Sequence, residues 1–178
     1  MQKKPCIRES ARNDIGPPPT RWAQHITADH LIAKDEQNEG LQGEKYAVVI
    51  LDRFTKIFDC FATATKTAAD TIKALQDFVG DQYRNVEKFF SDNSQELKNA
   101  AKTLGWPHPT STPGRPKTNG AAERTVRKVK EGIRCALLQS GAPYQLWPLA
   151  ARHYSFVARF EKNGDDDKSP WERRFQRK

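Results

Sequence analysis

Apolar and polar positions along this chain first alternate, then recur at helical spacing, then mix both patterns. His25 to Ala33 alternates, which predicts a strand with Thr27, Asp29 and Leu31 on one face. Tyr46 to Leu51 is a short apolar run rich in β-branched residues, as in a strand buried on both faces. Ile57 to Ala62 predicts a third strand, joined to the second by the turn-like Asp52-Arg53-Phe54-Thr55-Lys56. A polar, glycine-containing stretch around Asp35–Gly43 separates the first two strands, and the three together suggest an antiparallel meander. The period then changes. Ala68, Ile72, Leu75 and Val79 recur as on a helix from Thr67 to Val79, with Gly80 to end it. Val86 to Phe90 predicts a fourth strand. Asn93 or Ser94 can cap a helix running to about Leu104, stopped by Gly105. His108 to Thr112 predicts a fifth strand. Residues 113–118, rich in proline and glycine, fit neither a regular helix nor a central strand. A long helix follows from about Asn119 to Gln139, closed by Gly141-Ala142-Pro143, and another spans Tyr144 to Phe160. Strands first and helices interleaved later describe an α/β layout with a mixed sheet. No internal repeat is visible.

Wheel arithmetic at about 100° per residue sorts the long helix into faces. Val126, Val129, Ile133, Ala136 and Leu137 share one sector, the core face. Glu123, Arg127, Lys130 and Arg134 form a separate stripe beside it. As plain surface, this is an i, i+4 Glu–Arg pair followed by solvated cations, worth a few tenths of a kcal/mol. As a site, it is a carboxylate at a rim with cations continuing along a bound polyanion.

Charge sharpens that choice. The chain has 178 residues and a net charge of +8. Residues 115–134 hold a net +5 and residues 171–178 a net +3, so the rest of the chain is neutral. A clustered excess is the footprint of a polyanion more than of general solubility. With 37% apolar and 29% charged residues the chain is polar yet able to bury a core. No apolar run approaches a membrane span, and the polar N-terminus does not read as a signal peptide. Cys6, Cys60 and Cys135 are odd in number and widely spaced, which argues against a disulfide framework and for a reducing compartment. Residues 1–20, with Pro17-Pro18-Pro19, read as a disordered arm or linker; 21–162 read as the core domain and 163–178 as a basic extension.

Three acidic residues sit where acids are unusual. Asp29 lies within a strand, Asp92 ends one, and Glu123 opens the long helix after a Gly/Pro-rich loop. If the first and fourth strands are neighbours, Asp29 and Asp92 meet and the helix brings in Glu123. Clustered carboxylates repel unless cations occupy the site. Oxygen-only donors favour Mg²⁺ or Mn²⁺, and paired hard ions suit in-line displacement at phosphorus. Taken singly, each acid is better read as a cap or turn residue.

These residues together resemble the catalytic core of retroviral and long-terminal-repeat retrotransposon integrases. Ile26-Thr27-Ala28-Asp29 is similar to the first aspartate motif of that family, and Phe90-Ser91-Asp92-Asn93 to the second. Tyr46 to Leu51 followed by Asp52-Arg53-Phe54-Thr55-Lys56 resembles its hydrophobic strand and turn. Ser111-Thr112-Pro113 and Pro116-Lys117-Thr118-Asn119-Gly120-Ala121-Ala122-Glu123-Arg124 resemble the block that carries the glutamate. Trp147 and Ser169-Pro170-Trp171-Glu172-Arg173 look like copia-type flanking sequence. The resemblance spans about residues 21–173. It implies an RNase H-like fold with a mixed five-stranded sheet flanked by helices. It implies a polynucleotidyl transferase that processes and joins element 3′ ends to target DNA, using two Mg²⁺ or Mn²⁺ ions. Asp29, Asp92 and Glu123 become catalytic metal ligands. Arg127 and Lys130 match positions that grip the element's DNA end, Asn119 and Gly120 match the loop-to-helix junction, and Lys117 and Arg134 extend the DNA-binding set. Double-stranded DNA and further copies of the chain are the implied partners, with the nucleus as the place of action in a eukaryote.

The sequence also departs from the family. Thirty residues separate Asp92 from Glu123, fewer than in many retroviral members, which shortens the loop between them. Ser94 and Leu97 stand where glycine and phenylalanine are frequent. Cys6 would be the last trace of an upstream zinc domain, so the chain looks like a core fragment or one piece of a decayed element. A cut-and-paste transposase with the same triad and a catalytically silent DNA-binding remnant are the alternatives. Among the other residues, His25, His30, His108 and His153 lack metal-ligand spacing. His30 should face away from Asp29. The four tryptophans suit packing, Asp165-Asp166-Asp167 a solvated loop, and Cys60 and Cys135 the core.

Overall fold

A computed structural model describes residues 17–33, 39–109, 120–162 and 166–177. The chain opens with β1 (His25–Ile32), β2 (Tyr46–Asp52) and β3 (Phe58–Thr63), then α1 (Ala68–Val79), β4 (Lys88–Phe90), α2 (Gln95–Leu104), α3 (Gly120–Ser140), α4 (Trp147–Val157) and α5 (Pro170–Phe175). The strands form one sheet in the order β3-β2-β1-β4. The first three make the expected antiparallel meander, and β4 returns parallel to β1.

Alternation along the strands sends apolar side chains to two helical layers. Ile26, Ala28, Val48, Ile50 and Phe89 pack against α1 and α2 through Leu75, Phe78, Leu97 and Ala101. Leu31, Ala47, Val49 and Cys60 pack against α3 and α4 through Val129, Ile133, Leu137, Trp147 and Ala151. The predicted core face of α3 is therefore buried, with Ala136 at its margin. Gly132 lets α3 and α4 approach: a Cβ there would lie 2.4 Å from the Tyr154 ring.

The turn after β2 is held by a buried acid. Asp52 is fully buried and accepts hydrogen bonds from Ala23 N at 3.0 Å, Thr55 N at 2.7 Å and Thr55 Oγ1 at 2.7 Å. Helix boundaries follow local chemistry. Thr67 Oγ1 accepts from Asp70 N to cap α1. Gly105, at φ 68°, ends α2, and the Trp106 amide reaches back to Ala101 O at 2.9 Å.

Four expectations need correction. The described residues hold four strands, not five. Phe89 N donates to Pro107 O at 2.8 Å, as a fifth strand would require, but Pro109 has no N–H for the next bond of a parallel ladder. Residues 110–112 of that predicted strand lie outside the described residues. Ser94 occupies the N-cap of α2 but its hydroxyl makes no cap bond; the Asp92 carboxylate takes the Ser94 amide instead, at 3.0 Å. The helix predicted from Tyr144 begins as a 3₁₀ turn, Tyr144–Leu146, and turns α at Trp147, where Pro148 suits a first turn. Cys60 is buried as expected, whereas Cys135 is exposed. No helix among the described residues is long and apolar enough to cross a membrane.

Candidate active site

The β1–β4 pairing positions the site. His25 lies opposite Lys88 and Thr27 opposite Phe90, so the same register brings Asp29 level with Asp92, just beyond the end of β4. Thr27 Oγ1 ties the two strands through Phe90 O at 3.0 Å. Asp29 shares the α3 side of the sheet with Leu31, as the alternation predicts. Glu123 stands in the first turn of α3 and is exposed.

Electrostatics couples the three acids. The Asp29 carboxyl is pushed up to about 6, mainly by burial, with the charges of Asp92 and Glu123 adding to the rise and the His30 amide and Lys130 opposing it. Asp29 Oδ1 accepts from His30 N at 2.7 Å and Asp92 Oδ1 from Ser94 N at 3.0 Å. The other oxygen of each accepts no hydrogen bond among the described residues. The donor set is hard, oxygen-only and anionic, which fits Mg²⁺ or Mn²⁺. Among the described residues no three His, Cys, Asp or Glu side chains lie close enough to enclose a single ion; the acids interact through charge at longer range.

Arg127, Lys130 and Arg134 are all exposed along α3, and Gly120 opens that helix. Lys117 and Asn119 lie outside the described residues. His30 faces away from Asp29 and senses Lys66, Asp92 and Glu96, and burial holds its pKa below the usual histidine value. Of the Asp165-Asp166-Asp167 run, Asp166 pairs with Arg173 at 2.6 Å and Asp167 with Lys162 at 2.6 Å, both at the surface.

One structural support was not legible in the sequence. Ser91 Oγ donates to Asp92 O at 2.8 Å and lies 2.8 Å from His108 Nε2. The His108 ring also packs 5.4 Å from Phe89. The signal was available only in part: Ser91 is next to Asp92, but nothing in the spacing pairs it with a histidine 17 residues on.

The fold is that of integrase catalytic cores, an RNase H-like sheet with helices on both faces. The catalytic core domain of BIV integrase superposes with a TM-score of 0.60 at 17% identity, covering 84% of this chain and 92% of that one. The HTLV-2 integrase catalytic core domain, solved with magnesium in a trimeric form, gives 0.63 at 18% identity, covering 85% and 96%. A chain of the simian T-cell lymphotropic virus intasome, solved with a PP2A regulatory subunit, gives 0.70 at 18% identity, covering 88% and 55%. In sequence, the chain is 29% identical over 129 residues to the Pol polyprotein of Radiation murine leukemia virus, covering 70% of this chain and 21% of that protein. It is also 29% identical over 127 residues to the Transposon Tf2-3 polyprotein of Schizosaccharomyces pombe, covering 67% and 9%. The chain thus spans about a fifth or less of the curated relatives it matches. No family model matches it. The resemblance read from the aspartate motifs and the glutamate block is borne out by these relatives and by the fold.

Proposed function

We propose that the chain is the core of a metal-dependent polynucleotidyl transferase. It processes the 3′ ends of an element's double-stranded DNA and joins them to target DNA, working as a homo-oligomer. The observation that carries this reading is the shared electrostatics of Asp29, Asp92 and Glu123, acids supplied by β1, the loop after β4 and the first turn of α3. Asp29, Asp92 and Glu123 would hold two Mg²⁺ or Mn²⁺ ions, which supply an activated attacking oxygen and a stabilised leaving oxygen. The chain's own residues do the positioning. The β1–β4 ladder fixes Asp29 and Asp92 relative to each other. The buried face of α3 fixes the rise from Glu123 to Lys130, so a strand lying over the acids meets cations on leaving them. Arg127, Lys130, Arg134 and Gly120, together with Lys117 and Asn119 just before it in sequence, would contact the element's end.

The test is incubation of the purified chain with a branched strand-transfer product and Mn²⁺. Wild type should resolve the branch, and Asp92→Asn should lower the rate by at least about a thousandfold, because removing one member of a unit that acts together removes most of its effect. An Asp92→Asn protein that resolves the branch at the wild-type rate would refute the assignment.

A further inference from the structure

A second group of cations lies around the opposite end of β1 from Asp29. Arg53 continues the β1–β2 ladder by donating its amide to His25 O at 3.0 Å, four residues back from Asp29, or about 13 Å along a strand. Its guanidinium sits 5.0 Å over the Phe90 ring, and its Nη1 is buried without a hydrogen-bond partner. Lys56 Nζ folds back onto Arg53 O at 2.7 Å. From α5, Arg173 Nη1 reaches Thr55 O at 3.5 Å, and Arg174 stacks 4.3 Å over Trp22. Arg124, exposed in the first turn of α3, completes the group.

These cations gather with little to neutralise them. Burial lowers the pKa of Arg53, and Arg124 lowers it further; burial, Arg53 and Arg173 do the same to Lys56, opposed by Asp52. The carboxylates within this group are committed elsewhere. Asp52 uses its oxygens in three hydrogen bonds at the turn and reaches Lys56 and Arg174 only through its charge, Asp166 takes Arg173, and Glu172 takes the Ser169 amide at 2.8 Å in the capping box of α5. Arg53, Lys56, Arg124 and Arg174 make no ion pair among the described residues. Arg53 and Arg174, partly buried and stacked on aromatic rings, and Lys56, exposed but tied to a backbone carbonyl, lose little freedom on meeting an anion, which is preorganisation for a polyanion.

We propose that the Asp52–Lys56 turn, α5 and Arg124 form a second DNA-backbone track, which holds the target duplex while the α3 stripe holds the element's end. This rests on the integrase reading, since joining needs two duplexes at one reacting phosphate. Arg124 follows Glu123 directly, and Arg53 extends β2 on the Asp29 side of the sheet, so the track meets the carboxylates from the side opposite Lys130 and Arg134. Contacts to phosphate would make it indifferent to target sequence.

The test uses the full chain with Lys56→Asn and Arg174→Gln combined. Lys56 has φ 69°, a conformation asparagine accepts, so the charge is removed without backbone strain. Joining of a pre-cut end to a separate target duplex is followed in Mn²⁺ while each DNA is titrated in turn. The half-saturating target concentration should rise roughly tenfold, and the salt slope of target binding should fall by about two units. The half-saturating concentration of the end duplex should stay within about twofold of wild type. Unchanged target values would overturn the proposal. So would equal weakening towards both duplexes, or tighter binding of duplex RNA than of DNA. Anisotropy titrations with plain duplex in EDTA separate the two readings. If wild type joins nothing but the variant still loses salt slope, the transferase reading fails while the DNA surface stands.

Discussion

Asp29 is the residue at which fold and chemistry conflict most directly. A carboxyl at about 6 holds its proton more tightly in the folded chain than at its ordinary 3.8 in the unfolded chain. Between those two values the folded state binds more protons, so the metal-free fold loses stability as pH rises, and the loss is complete above about pH 6. At about 1.4 kcal/mol per unit the loss has a ceiling of about 3 kcal/mol, reduced by the water that reaches a half-buried side chain. Asp29→Asn removes this effect. In EDTA at pH 7.5 the variant should melt a few degrees above wild type, with the gap closing towards pH 4. Thermal melts across that range check it, and a gap independent of pH would show that Asp29 carries no such penalty. Adding Mn²⁺ at pH 7.5 should raise the melting temperature of wild type and not of the variant, because only the intact acid set binds the ion.

At the scale of elements, close packing of α3 against α4 fixes the helix that carries Glu123 and the cations. Gly132 is the contact point, where an added Cβ would meet the Tyr154 ring at 2.4 Å, and that ring is itself packed 5.9 Å from Phe58. Gly132→Ala gains up to about 1 kcal/mol of helix propensity. Overpacking costs about 1–3 kcal/mol, so the net effect should be a loss of stability, read as a lower denaturation midpoint. A stabilised variant would mean that Tyr154 swings aside freely. Elements of this kind show why some of the fold was legible in the sequence. Alternation placed Thr27, Asp29 and Leu31 on one face, and helical spacing placed Val126, Val129 and Ile133 in the core, because both periods are backbone geometry. Long-range partners leave no such trace. The sequence left open whether β1 neighbours β4, and the pairing of Ser91 with His108 depends on that neighbourhood. The α5 helix was missed because its six residues are too few for a period, although Ser169 and Glu172 spell its capping box. Arg53 and Lys56 read as turn residues, since the charges they face come from α3 and α5.

Over the whole molecule, the basic excess falls in two stretches, residues 115–134 and 171–178, which on the proposed reading flank one acid set. Such a distribution sets up a field that draws a polyanion across the site from both ends. Along α3, Arg127, Lys130 and Arg134 follow Glu123 at rises of about 6 Å, 4.5 Å and 6 Å. Lys130 is close enough to lower the Asp29 pKa, so its charge reaches the first of the three acids. Arg134, a turn further on, extends the same stripe. An ammonium is a point charge without a fixed fork, which suits phosphate more than a base edge. Its contribution to binding should be release of about one counterion, whatever the sequence bound. Lys130→Ala should therefore weaken binding to several unrelated duplexes by the same factor and reduce the slope of log K against log salt by about one unit. Arg127 is the contrasting control, because a guanidinium can also fork onto a guanine edge, and its loss would then weaken some sequences more than others. Both variants leave the buried face of α3 intact, so their melting temperatures should match wild type. The measurement is a salt titration of duplex binding for wild type, Lys130→Ala and Arg127→Ala on three sequences. A Lys130→Ala slope equal to wild type would make the α3 stripe a solvated surface and leave the turn and α5 as the DNA-binding face of the molecule.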